Sequence, residues 1–327
     1  MAPLEPVIKG KRLLLVPAGA LTSLPFQVLI TTPPAKATPP PEDYGKADWL
    51  IRRHALSILP SVASLRAVRL ASNAPSASKP LIGYGAPLFS SQPPILPPGS
   101  PAHARSAGTS KASPGRTPRG SVAEVSKGLQ PLPETAAELQ QVARLVGATE
   151  KDLALGVAAS ETNVKRTNLQ DFRVVYFATH GLVADEIADL GEPALALTPP
   201  AKPSESDDGM LTASEIAQLK LNADWVVLSA CNTAAGNKPG AEALSGLARA
   251  FFHAGARALL VSHWRVYSEA ASHITTGIFR ELATDARIGR DEASRCSMLQ
   301  LIGHGSTEYV QPAYWAPFVV VGDGAGR

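Results

Sequence analysis

Only two cysteines, Cys231 and Cys296, occur among the 327 residues. A disulfide framework is thereby excluded for a chain of this size, and a reducing compartment is expected. Long apolar runs are lacking too, since no stretch reaches the roughly 18 uninterrupted apolar residues that a membrane span needs. The nearest candidate, Leu13 to Leu24, is interrupted by Pro17 and Gly19. Lys9, Lys11 and Arg12 before it imitate the start of a signal peptide, yet a buried strand over Arg12 to Val16 fits these residues better. Aromatic residues make up 6% and charged residues 18%, and 31 Lys and Arg against 28 Asp and Glu leave a net charge of +3. This balance excludes a bulk nucleic-acid binder, and 45% hydrophobic residues exclude global disorder. No glycine-rich phosphate loop follows any apolar run, so nucleotide chemistry is not expected, and no 34-residue repeat recurs. The expected address is cytoplasmic, with neither membrane nor nucleic acid as partner.

The chain is rich in proline (29) and glycine (26), which predicts some long loops. Between Ser91 and Pro133 lie nine prolines, no aromatic residue and a scatter of Arg105, Lys111, Arg116, Arg119 and Lys127; an exposed, mobile loop is expected there. A helical or strand segment is read around Trp49 to Leu59. After Pro133 the pattern becomes regular. Leu139, Val142, Leu145 and Val146 have helical spacing, with Gly147 placed to stop the helix. Thr212 and Glu215 form a capping box ahead of Ile216 and Leu219. Leu244, Leu247, Ala248 and Phe251 share one stripe that ends at Gly255. Between the helices run Val174 to Ala178, Ala194 to Leu197, Trp225 to Leu228 and Ala258 to Val261, apolar at every position. Such runs belong to strands buried on both faces, so they predict an α/β fold with a mostly parallel sheet flanked by helices, in three layers.

In such sheets ligands bind beyond the carboxyl ends of the strands. The first run leads to Thr179, His180 and Gly181, the third to Ser229, Ala230, Cys231 and Asn232, and the fourth to Ser262, His263 and Trp264. A thiol near an imidazole is the minimum for a cysteine nucleophile, because the thiolate attacks and a neighbouring base lowers its pKa. Cys231 sits in a polar turn of small residues, whereas Cys296 reads as a packing residue. Asn232 and Thr233 read as turn formers that could also orient the pair. Asp208, with Asp207, Asp185 and Glu186, is a candidate for accepting a basic substrate side chain, against the simpler reading of solvated loop acids. His263 and Trp264 are candidates for lining a substrate groove or for packing at its rim. A zinc site from His180, Cys231 and His263 lacks a close ligand pair, so no metal or cofactor is expected.

His180 precedes Cys231 by about 50 residues, and Ala230 stands directly before the cysteine, as in the caspase signature. With Asp208-Gly209-Met210-Leu211-Thr212, Gly246-Leu247-Ala248-Arg249-Ala250-Phe251, Ser262-His263-Trp264, Ala313-Tyr314-Trp315-Ala316-Pro317-Phe318 and Val16-Pro17-Ala18-Gly19, the chain resembles the CHAT domain family, bacterial relatives of caspases and separases. The likeness covers nearly the whole chain. It implies a single caspase-like domain over residues 1–327, with 91–133 a flexible loop inside it and 134–327 carrying a His-Cys dyad. The implied activity is a latent cysteine endopeptidase, with Cys231 as nucleophile, His180 as base and acid, and the backbone N–H groups of Gly181 and Cys231 holding the oxyanion. The alternative is a catalytically silent scaffold for protein contacts. A protein or peptide substrate and an activating protein or TPR-containing partner are the implied partners; TPR repeats, which usually precede the domain, are absent from this chain. The 91–133 loop is a candidate for self-cleavage, and a basic residue is expected before the scissile bond. Where family members often carry an acid, this chain reads Arg265-Val266-Tyr267-Ser268.

Overall fold

The computed structural model describes residues 4–34, 40–62, 64–65, 76–89, 122–184, 191–204, 206–230, 246–264, 266–285, 287–304 and 306–325. The strands are β1 (Leu13–Leu15), β2 (Leu56–Ile58), β3 (Lys79–Gly85), β4 (Leu153–Leu155), β5 (Phe172–Ala178), β6 (His180–Leu182), β7 (Ala194–Ala196), β8 (Met210–Thr212), β9 (Trp225–Ser229), β10 (Ala258–Ser262) and β11 (Phe318–Gly322). Eight of them form one sheet in the order β1-β2-β11-β10-β9-β5-β3-β4. Every neighbouring pair is parallel except β10 and β11. That one antiparallel pair divides the sheet into two blocks of opposite direction, so β10, β9, β5, β3 and β4 all end at the same edge.

Helices cover both faces. On one lie α2 (Glu134–Val146), α6 (Ser268–Thr284) and α7 (Arg290–Gly303), which pack Leu139, Ile274, Ile278 and Met298 against Tyr176, Trp225 and Leu260. On the other lie α3 (Glu161–Arg166), α4 (Ala213–Gln218) and α5 (Gly246–Ala254), with Val164, Ile216, Leu247 and Phe251 against Phe177, Val226 and Leu228. Local sequence sets the helix ends. Thr212 accepts from the Glu215 N–H while the Glu215 carboxylate accepts from the Thr212 N–H, the expected capping box. Gly147 closes α2 at φ +74°, a backbone conformation that glycine adopts without strain. α2 also lies close on β3, because a side chain at Gly85 would meet Leu139 Cδ1 at 2.5 Å.

Three expectations are corrected. The Ala194 to Leu197 run is buried throughout but does not join the parallel sheet; it forms β7 of a separate antiparallel sheet, β6-β7-β8. Burial on both faces produces the same apolar run in either kind of sheet, so composition does not separate them. The N-terminal strand is an edge strand with Leu14 and Val16 exposed, since β2 pairs with one side of it only. Within the segment read as a mobile loop, residues 122–128 form a helix, α1 (Val122–Gly128). Val122, Val125 and Leu129 pack on Phe89 and on Leu182, Ala194 and Met210 of the small sheet. A helix this short draws its stability from such docking rather than from propensity. Residues 91–121 of that loop, and Leu244, lie outside the described residues. Among the described residues no helix is long and apolar enough to cross a membrane.

Candidate active site

β5 and β9 are parallel neighbours, with Ala178 directly opposite Ser229. Neighbouring strands lie about 4.8 Å apart. His180 stands two residues after Ala178, and Cys231 stands two residues after Ser229 in the sequence. Cys231 itself lies outside the described residues, as do Asn232, Thr233, Asp185 and Glu186.

β5 does not end in a free loop. The chain breaks for one residue at buried Thr179, whose hydroxyl donates to the Ala196 carbonyl, and then enters the small sheet as β6. His180 is therefore the first residue of a strand, opposite Ala196, and Gly181 lies buried opposite Leu195. The His180 Nε2 is 2.7 Å from the backbone oxygen of Gln130, just beyond α1. A carbonyl only accepts, so Nε2 carries the proton and, in the neutral ring, the lone pair is on Nδ1. Phe89 packs against the imidazole with centroids 5.4 Å apart. The segment that composition marks as loop thus supplies the group that orients the histidine. A main-chain carbonyl leaves no mark in a sequence, and only the Val122, Val125, Leu129 stripe could have pointed to it.

On the other side of β9, β10 runs parallel with Leu260 opposite Val227. Ser262, wholly buried at the end of β10, donates through Oγ to the Ala230 carbonyl at 2.5 Å and so holds the residue before Cys231. The His263 N–H donates to the Pro317 carbonyl at 2.8 Å, the two rings of His263 and Trp264 stack 6.1 Å apart, and Trp264 Nε1 donates to the Ala313 carbonyl at 3.2 Å. The His263 Nε2 is buried without a hydrogen-bond partner among the described residues, and burial pushes the ring down to about 4. An imidazole so depressed is neutral and weakly basic at pH 7.

Asp208 is engaged in the turn before β8. Its Oδ1 accepts from the Met210 N–H at 2.8 Å, and the N–H groups of Asp208 and Gly209 donate to Glu161 Oε2 at 3.0 Å each. Asp207 accepts from the Thr162 hydroxyl. Lys165 bridges Glu161 and Glu215 at 2.5 and 2.7 Å. Burial pushes Glu161 up to about 7 and raises Asp208 as well, whereas hydrogen bonds from Lys165 and Thr212 outweigh burial and lower Glu215. Cys296, half-buried on α7, has its thiol raised by burial and by the Glu292 carboxylate, 3.8 Å from its sulfur.

Fold and site together define a three-layer α/β protein in which two adjacent parallel strands lead to an oriented imidazole and to a cysteine. The family model described as CHAT domain matches residues 1–323, and the chain belongs to that family. Among curated proteins, Tetratricopeptide repeat protein 28 of Mus musculus is 29% identical over 113 residues, which cover 35% of this chain and 4% of that protein. The likeness thus extends to a mouse protein and assigns no bacterial origin to this chain. Among solved structures, that of the Arg-specific cysteine proteinase gingipain R is similar at a TM-score of 0.40 and 12% identity, over 58% of this chain and 42% of that one.

Proposed function

We propose that this chain is a cysteine endopeptidase acting through a His180 and Cys231 dyad. The observation that carries the reading is the pairing of β5 with β9, Ala178 opposite Ser229, because it directs the chains toward base and nucleophile from adjacent strands. The Gln130 carbonyl on Nε2 supports it further by leaving Nδ1 as the proton acceptor. In this mechanism the Cys231 thiol gives its proton to His180 Nδ1, and the thiolate attacks the scissile carbonyl carbon. The backbone N–H groups of Gly181 and Cys231 receive the oxyanion, and the loss of one such donor typically costs about 2.7–4 kcal/mol. The imidazolium protonates the leaving amine as the C–N bond breaks, giving a thioester. Water, deprotonated by His180, then releases the carboxylate and restores the thiol.

A basic residue before the scissile bond is supported by Asp207 and Asp208 in the turn before β8, where Asp207 Oδ1 has no hydrogen-bond partner among the described residues. Latency until a protein partner binds belongs to the same proposal, and the tetratricopeptide repeats in the mouse relative's name make a repeat-containing partner the first to try. The test is digestion of a mixed peptide library by wild type, Cys231→Ala and His180→Ala, with and without candidate partners, read by mass spectrometry. New termini after Arg or Lys with wild type alone are expected. Cleavage that survives Cys231→Ala overturns the dyad, cleavage after Asp overturns the basic preference, and no cleavage under any condition favours the silent scaffold.

A further inference from the structure

Beneath the sheet, on the face covered by α2 and α6, lies a carboxyl group that the proposed mechanism does not use. Glu138 is only 2% exposed and sits among Leu139, Val142 and Ile274 of the apolar layer. Burying a carboxyl there is unfavourable unless its oxygens are hydrogen-bonded. Two hydroxyls from two elements meet it: Tyr176 of β5 donates to Oε1, and Thr275 of α6 lies 2.9 Å from the same oxygen. Buried Ser229, at the end of β9, lies on the same face of the sheet as Tyr176, because it stands opposite Ala178, two residues on from Tyr176. Thr275 has one proton and two acceptors in reach, because the Ala271 carbonyl is also 2.9 Å away. A Glu138 that keeps its own proton satisfies both. Burial, with the Glu134 charge one turn back adding to it, raises Glu138 in that direction.

Tyr176 stands four residues before His180, and Ser229 two before Cys231. We infer that Glu138 is a positioning residue, one buried carboxyl that ties Tyr176 of β5 to Thr275 of α6 on the face where Ser229 ends β9, and so fixes how the chains toward base and nucleophile leave the sheet. A polar network buried in this way and fully satisfied specifies a single arrangement. The inference rests on the proposed dyad.

The test is the pH dependence of iodoacetamide alkylation at Cys231 in the full chain, read by peptide mass spectrometry with Cys296 as internal reference. In wild type the apparent pKa of Cys231 lies below the free-thiol value of about 8.5, and His180→Ala raises it. Glu138→Leu is expected to raise it by about one unit, about a tenfold loss of reactivity at pH 7. Glu138→Gln, which keeps the hydrogen bonds without a charge, holds the wild-type profile. Thr275→Val and Tyr176→Phe each remove one hydroxyl and shift the profile less, in the same direction. They carry the test should Glu138→Leu fail to fold, which an accelerated Cys296 reaction reports. If His180→Ala shifts Cys231 while the Glu138, Thr275 and Tyr176 variants leave it in place, the positioning role is overturned and the dyad stands. If His180→Ala has no effect, the dyad falls and this inference with it.

Discussion

Ser262→Ala removes the donor of a buried hydrogen bond at the end of β10. Ser262 Oγ donates to the Ala230 carbonyl at 2.5 Å, and the two residues are 0% and 1% exposed, so no solvent takes over the bond. A buried acceptor left unsatisfied costs about 1–3 kcal/mol. The midpoint of that range, about 2 kcal/mol, corresponds to a fall in Tm of about 4 °C at the low end of the scale for large domains. Thermal unfolding followed by circular dichroism measures it. A local effect accompanies the global one, because Ala230 is the residue directly before Cys231. Release of its carbonyl should change the alkylation rate of Cys231 and leave Cys296, on α7 at the opposite face, at its wild-type rate. A Tm within about 1 °C of wild type, together with an unchanged Cys231 rate, would refute the reasoning and leave the β10 contact without a part in the site.

Gly85→Ala places a methyl group against Leu139, at a cost of about 1–3 kcal/mol for overpacking; Leu139→Ala, which costs about 2–5 kcal/mol in wild type, should cost less in the Gly85→Ala chain, as urea unfolding of the four proteins measures. Glu161 gives a pH dependence of definite sign. Between its unfolded value of about 4.3 and its folded value of about 7, the folded state holds a proton that the unfolded state has lost, so its contribution to stability declines as pH rises through that window. Tm measured at pH 5, 6 and 7.5 should show a decline that is smaller in Glu161→Gln; equal slopes in the two proteins would contradict the assignment. Proximity of the two strand exits is testable by cross-linking. His180→Cys with Cys296→Ser should form a 180–231 disulfide on mild oxidation, since bridged residues have Cα atoms about 4.4–6.8 Å apart. A chain that stays fully reduced contradicts the juxtaposition.

The parts of the fold that the sequence discloses are those where one residue type answers to one environment. Residues 174–178 of β5, 225–228 of β9 and 258–261 of β10 are apolar throughout because helices cover both faces of the sheet there, and the residues that follow mark the functional edge. Thr212 with Glu215, and Gly147, announce helix ends through their own hydrogen bonds and backbone angles. Other features depend on partners distant in the chain. Three-residue β7 reads like any buried strand, and only its pairing with β6 and β8 makes it antiparallel. α1 is short and flanked by proline and glycine, and it is held by Phe89 and Leu182 rather than by its own propensity. The orientation of His180 comes from a backbone carbonyl about 50 residues away, which no side-chain pattern encodes. Glu138 did leave a signal, a carboxylate four residues before Val142 on the apolar stripe of α2, although its partners Thr275 and Tyr176 become visible only in three dimensions.

The central claim, that Cys231 is a nucleophile made reactive by His180, is tested most directly by titrating a single thiol. In a Cys296→Ser background, thiolate absorbance at 240 nm across the pH range reports Cys231 alone. The account predicts an apparent pKa below about 8.5 that rises when His180→Ala is added. A pKa at or above that value, the same with and without His180, would contradict it.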